Sequence, residues 1–148
     1  MSFGDFMNEL KEKASELKNE ALKFKNKNFL HAAMAGSALL ALADGVISAD
    51  EKKKMLKFIE NYEPLSVFKA PDIINAFSDF VTQLEFDTDL GEAKAFEAIA
   101  KMKGNEAAGR LIMRLVIAIG ASDGDFDKDE KAMARRIANE LGVNASEF

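Results

Sequence analysis

The chain has no cysteine, two prolines and a single histidine in 148 residues. Without cysteine there is no disulfide framework, no thiolate nucleophile and no cysteine-based zinc site. One histidine, His31, cannot supply the two Glu-x-x-His motifs of a di-iron helical bundle. No P-loop, dinucleotide glycine fingerprint or HExxH helix occurs, and no strand-turn-helix nucleophile elbow is present. With no thiol and no redox-cofactor motif, direct reduction of an oxyanion by this chain is not expected. The longest apolar stretch, residues 29–43, is shorter than the roughly 20 residues of a membrane-spanning helix and contains His31 and Ser37. Residues 1–10 are acidic and amphipathic, without the basic start and apolar run of a secretory signal. Basic charge is also short. The net charge is −5, which argues against general nucleic-acid binding, since that needs clustered Lys and Arg against phosphates. These absences together predict a soluble, cytoplasmic protein with no transmembrane segment of its own and no nucleic-acid partner.

What is present is a hydrophobic fraction of 48% and a charged fraction of 30%. That balance suits one domain, residues 1–148, able to bury a proper core. Few prolines and repeated three-four spacing predict an all-α fold. Phe3, Met7, Leu10, Ala14, Leu17, Ala21 and Phe24 lie on one seam of a long first helix. Residues 25–28 read as a polar hinge. Residues 29–43 are apolar almost all round, as expected of a central helix. They stop at Asp44–Gly45, where glycine suits a left-handed C-terminal conformation. Ser48 and Glu51 form the pattern of a capping box opening the next helix, with Met55, Leu56, Phe58 and Ile59 as its apolar positions. Pro71 suits a first helical turn and precedes a helix carrying Ile73, Ile74, Phe77, Phe80, Val81 and Leu84. After a junction at residues 85–89, residues 90–103 form another, with Leu90, Ala93, Phe96, Ile99 and Ala100 at helical spacing. Asn105 caps the following helix. Asp123–Gly124 breaks it, and Asp127 and Glu130 start the last one. The expectation is a single-domain bundle of about seven helices. It has two related helical halves, repeat units around residues 28–63 and 105–142, and pseudo-twofold symmetry.

The relation between the halves rests on a repeated junction. Asp44, Gly45, Asp50, Glu51 and Lys52 recur as Asp123, Gly124, Asp129, Glu130 and Lys131. The period is too long, and the copies too few, for a short-repeat solenoid. The two copies differ where the first has Val46 and Ser48 and the second has Asp125 and Asp127.

The order of these segments resembles the TerB family of tellurite-resistance proteins. The residues that carry the resemblance are the Phe3/Phe6 start and F-K-N-K-N-F at 24–29. A-D-G-V-I-S-A-D-E-K-K-K-M at 43–55 and the turn at 65–68 follow. Then come E-F-D-T-D-L-G at 85–91, S-D-G-D-F-D-K-D-E-K at 122–131 and the end, L-G-V-N-A-S-E-F. No single segment is specific. Their order and spacing are. The resemblance implies an all-helical fold of two similar halves and a place in a bacterial stress-resistance system. It also implies a protein partner at the inner membrane, hence a cytoplasmic location that extends to the membrane periphery. It implies no catalytic centre, and acidic residues of the D-G loops that bind metal.

The residues themselves leave two readings of the acidic loops. Asp-Gly ends a helix, Ser48 or Asp127 caps the next, and Asp50, Glu51, Asp129 and Glu130 suit a positive helix N-terminus. Capping accounts for the whole first loop. The second has a surplus: Asp123, Asp125, Asp127, Asp129 and Glu130, offset only by Lys128. Two carboxylates ~6 Å apart repel by about 0.7 kcal/mol in water and more at a protein surface, and a cation relieves that. Ca²⁺ or Mg²⁺, weakly bound, is the expected ligand, with Asp44, Ser48, Asp50 and Glu51 as secondary contributors. The loop is not an EF-hand, because its Gly is second and its Glu eighth rather than sixth and twelfth. The other reading is a metal-independent helical scaffold whose loops are only caps. A docking patch for a basic partner is compatible with either. A metal-dependent hydrolase built on the Asp cluster ranks third, since no base or nucleophile pairs with it. His31 reads as a core residue rather than a ligand. The first helix reads as packed on the bundle rather than laid on a membrane.

Overall fold

The computed structural model describes residues 3–122 and 126–148. Among these there are eight α-helices, two short 3-10 turns and no strand: α1 Phe3–Glu12, α2 Ala14–Lys23, α3 Lys27–Ala41, α4 Ala49–Asn61, α5 Ala70–Phe86, α6 Thr88–Ala100, α7 Glu106–Gly120 and α8 Lys128–Leu141. The all-α expectation holds. The eighth helix arises because the long first helix is interrupted at Lys13, whose backbone sits at φ −99°, ψ 17°. The interruption is a bend rather than a stop. The Lys13 N–H still donates to the Glu9 carbonyl at 3.0 Å, and the Leu17 N–H to the Lys13 carbonyl at 2.9 Å. The bend lets one apolar seam follow two surfaces, with α1 against α7, and α2 against α7 and the 3-10 turn Glu63–Leu65.

The centre of the molecule is α3, packed against α5, α6, α7 and α8. Every residue from 32 to 40 is buried, as a helix apolar on all sides requires. Ser37 is the buried polar residue there, and its hydroxyl donates to the Ala33 carbonyl at 2.8 Å. In α7 Met113, Ile117 and Ala118 are buried alongside the expected stripe, so this helix too is enclosed on most sides. The hairpins α3–α4 and α7–α8 are cross-packed, with α4 touching α7 and α8 touching α3.

Short polar side chains start most of these helices. Asn26 accepts from the Phe29 N–H at 2.8 Å, Ser48 from Glu51 at 3.1 Å, and Asp87 from Leu90 at 3.1 Å. Asn105 accepts from Ala108 at 3.1 Å, and Asp127 from Glu130 at 2.9 Å. Each such cap stabilises by about 1 kcal/mol. The residues read as a polar hinge thus include the cap of α3.

The α5–α6 connection is tighter than expected. Asp87 is both the C-cap of one helix and the N-cap of the next, so the five-residue junction shrinks to one. This close corner also rotates α6. Leu90 and Ala93, expected on the inner face, are exposed, while Gly91, Ala95, Ala98 and Ile99 are buried. Gly91 is what permits it, because a Cβ there would stand 2.6 Å from Leu84 Cα and 2.7 Å from Leu84 N.

Candidate acidic cleft

Each acidic junction lies between the end of one described helix and the start of the next. Helix α3 ends at Ala41, and Gly45 turns the chain at φ +98°, a value costly for any residue with a Cβ. The Asp44 side chain accepts from the Val46 N–H at 3.2 Å. Ile47 is buried and anchors the loop, whereas Val46 beside it is 72% exposed. In the second junction α7 ends at Gly120 and α8 begins at Lys128. Asp123, Gly124 and Asp125 lie outside the described residues, so two of the expected metal ligands are not placed.

The caps differ in a way the pattern did not predict. Asp127 and Glu130 form a complete capping box: Glu130 accepts from the Asp127 N–H at 3.2 Å while Asp127 accepts from the Glu130 N–H. At the first junction only half of the box forms. Ser48 caps the Glu51 N–H, but the Glu51 carboxylate does not return to Ser48 and has no hydrogen-bond or ion-pair partner among the described residues. The surplus assigned to the second loop is therefore partly used in capping, and a carboxylate assigned to capping at the first loop is left uncommitted.

The two junctions meet. A cleft of about 680 Å³ runs between them, lined by Asp44 and Glu51 from the first and by Ser122, Asp127 and Glu130 from the second. Leu40 and Gly120 lie in its apolar floor, and Lys54 and Lys57 of α4 bring positive charge to its wall. The remaining expected ligands stand elsewhere. Ser48, Asp50 and Asp129 do not line the cleft, and Asp50 and Asp129 are exposed in the first turns of α4 and α8. There they face the positive end of the helix dipole. No three carboxylates or imidazoles among the described residues lie close enough together to hold a metal ion. The described donors alone are therefore too spread out, and a metal would need Asp123, Asp125 or a closer approach of the two loops.

The lysines of the repeat have also diverged. Lys52 pairs with Glu85 at 2.9 Å and ties α4 to α5. Lys131 has no ion-pair partner among the described residues and lines a different groove.

His31 is half-buried rather than enclosed in the core. It meets Phe80 edge to face at 6.4 Å and borders a separate cleft with Lys27, Asp72 and Asp79. Its pKa is lowered, first by burial and then by Lys27 and Lys101, with Asp79 opposing. The single imidazole and the acidic cleft are thus in different places. No described helix is long and apolar enough to cross a membrane.

Residues 30–148, which include every residue named in the acidic cleft, match the family described as tellurite resistance protein TerB. The helices α1 and α2 precede the matched region. A tellurium resistance protein TerB from Alcaligenes sp is 32% identical over 102 residues, a stretch covering 69% of this chain and 84% of the relative. No solved structure matches the chain. The fold, the order of the two acidic junctions and both matches lead to one assignment: this chain belongs to the TerB family of tellurite-resistance proteins.

Proposed function

We propose that the chain is a non-enzymatic module of a tellurite-type stress-resistance system, and that its two acidic junctions act as one surface. That surface takes a divalent cation, Ca²⁺ or Mg²⁺, weakly, and docks a partner protein at the inner membrane from the cytoplasmic side. The observation that carries this reading is the shared cleft: Asp44 and Glu51 face it from one hairpin, and Asp127 and Glu130 from the other. Hard cations take six or more oxygen ligands, more than the described carboxylates of either junction direct into the cleft. Asp123 and Asp125 are the proposed completing ligands. Glu51, with no partner among the described residues, is the carboxylate best placed to move without breaking a cap.

A second reading has its own support. Asp127 and Glu130 are engaged in a complete capping box, and the described carboxylates do not converge on an ion. On that reading the family fold is a metal-independent interaction scaffold whose loops start and stop helices.

Titration of the protein with Ca²⁺ and with Mg²⁺ separates the two. A cation bound only by the folded state stabilises by about 2.7 kcal/mol at 100 times its dissociation constant, raising the melting temperature by roughly 5–10 °C. Amide shifts should appear at Asp44 and Glu51 as well as at residues 123–130, and vanish in Glu51→Gln, Asp125→Asn. Unchanged melting and spectra at millimolar metal would leave the scaffold reading standing.

A further inference from the structure

On the side of the bundle where α1 packs on α7 there is a second groove, of about 330 Å³. Its lining includes Phe6 of α1, Met113 and Ile117 of α7, Phe126, Ala134 of α8, and Phe148. Phe6 and Phe148 meet edge to face with ring centroids 6.5 Å apart. Lys131 and Arg135 also line it.

Two cationic side chains stand beside this apolar surface. The chain's net charge is −5, and Arg110 and Arg136 are held in ion pairs with Glu147 and Glu92. Lys131 and Arg135 have no such partner among the described residues. They are four residues apart on one helix, so they face the same way and repel. Glu147 borders the groove as well, but its carboxylate is taken by Arg110 at 3.0 Å. The result is an apolar floor with two cations on one wall that have no ion-pair partner among the described residues.

We propose that this groove is a binding site for a small apolar carboxylic acid, with the hydrocarbon body on Met113, Ile117 and Ala134 and the carboxylate between Lys131 and Arg135. Two features select this class. The volume is at the low end of the roughly 300–1,000 Å³ of ligand sites, which fits a single hydrocarbon chain and not an amphipathic helix. Two cations at (i, i+4) spacing suit a carboxylate, whose two oxygens can accept from both at once. The site is independent of the acidic cleft, from which it differs in every lining residue.

The test uses three probes with the full chain, followed by methyl and amide NMR: decanoate below its micellar concentration, decanol, and acetate. Decanoate should shift the Met113, Ile117 and Ala134 methyls in a saturable way. Acetate should not, and decanol should bind at least tenfold more weakly. Lys131→Gln, Arg135→Gln, both at exposed positions, should abolish the preference for decanoate over decanol while leaving the amide spectrum that of a folded protein. Ala134→Phe, which fills the groove, should remove binding of both. Equal binding of decanoate and decanol, a preference that survives the double variant, or no shift of the three methyls would each overturn the proposal.

Discussion

Leu40 of the central helix sits directly over Gly120 at the end of α7. A Cβ on Gly120 would stand 2.9 Å from Leu40 Cδ1 and 3.2 Å from its Cβ. The same pair lies in the floor of the acidic cleft, so this close approach brings the two acidic junctions to one surface. Gly120→Ala should cost about 1 kcal/mol, since overpacking costs roughly 1–3 kcal/mol and the helix gains somewhat less than 1 kcal/mol in return at its end. Gly91→Ala should cost about 3 kcal/mol or more, because its Cβ would meet Leu84 backbone, which cannot rotate away. Urea denaturation of both variants checks the order. A Gly91→Ala protein as stable as the parent would mean the corner is looser than its contacts say.

Charge and capping at the second junction are separable by substitution. Asn caps a helix as well as Asp, and Gln can replace Glu in a capping box. In the absence of divalent ions, Asp127→Asn and Glu130→Gln should therefore lie within about 0.5 kcal/mol of the parent, while Asp127→Ala loses about 1 kcal/mol. With Ca²⁺ or Mg²⁺ added, the parent should gain melting temperature and the two isosteric variants should gain less. Equal responses from all four proteins would remove Asp127 and Glu130 from any cation site.

Tyr62 carries a buried hydroxyl that has no hydrogen-bond partner among the described residues. Burial also raises its pKa. Its ring stacks on Phe58 at 5.1 Å, and phenylalanine keeps that contact. Tyr62→Phe should raise the unfolding free energy by about 1 kcal/mol, the desolvation cost of an unsatisfied hydroxyl, and the melting temperature by about 3 °C. Because Tyr62 is the one tyrosine in the chain, phenolate absorbance during alkaline titration should appear only with loss of helical circular dichroism. Phenolate formation in the intact fold would show the hydroxyl to be accessible.

The lowered pKa of His31 makes stability depend on pH in a defined direction. The folded chain holds the proton less readily than the unfolded chain, whose value is near 6.5. The unfolded state therefore binds more protons as pH falls below that value, and stability falls with it. Above about pH 6.5 the contribution is fully present. Melting temperatures from pH 5 to 8 should decline on the acid side more steeply for the parent than for His31→Gln. Parallel curves would assign the acid sensitivity to carboxylates instead.

The elements legible in sequence were those with local signatures. Three-four spacing and the polar residues Ser48, Asn105 and Asp127 marked helices and their starts, and the apolar run at 29–43 marked the centre. What failed was rotation and adjacency. The burial of Gly91 and exposure of Leu90 follow from a contact with Leu84 that hydrophobic spacing does not express, because glycine carries no apolar signal. The bend at Lys13 leaves the seam intact and so leaves no mark on it. The acidic site was legible as two loops but not as one cleft. Its assembly depends on Leu40 meeting Gly120 across the bundle. The exchange of roles between Glu51 and Glu130 was equally hidden, since both fit the same capping pattern and only the fold shows which carboxylate turns back to its cap.

Asp87 joins α5 to α6 with no intervening residue, and Gly91 is seated against the backbone of Leu84. This elbow has no slack to take up. A force applied to α5 or α6 is passed on as rotation of the pair rather than absorbed by a loop, and α3, which packs on both, is clamped at the same time. The acidic junctions hang on the same frame, because α4 packs on α5 and α7, and α8 on α3, α6 and α7. Mechanically the cleft is a notch in a braced frame, and whatever closes on it meets walls tied through α4 and α8 to the clamped elbow.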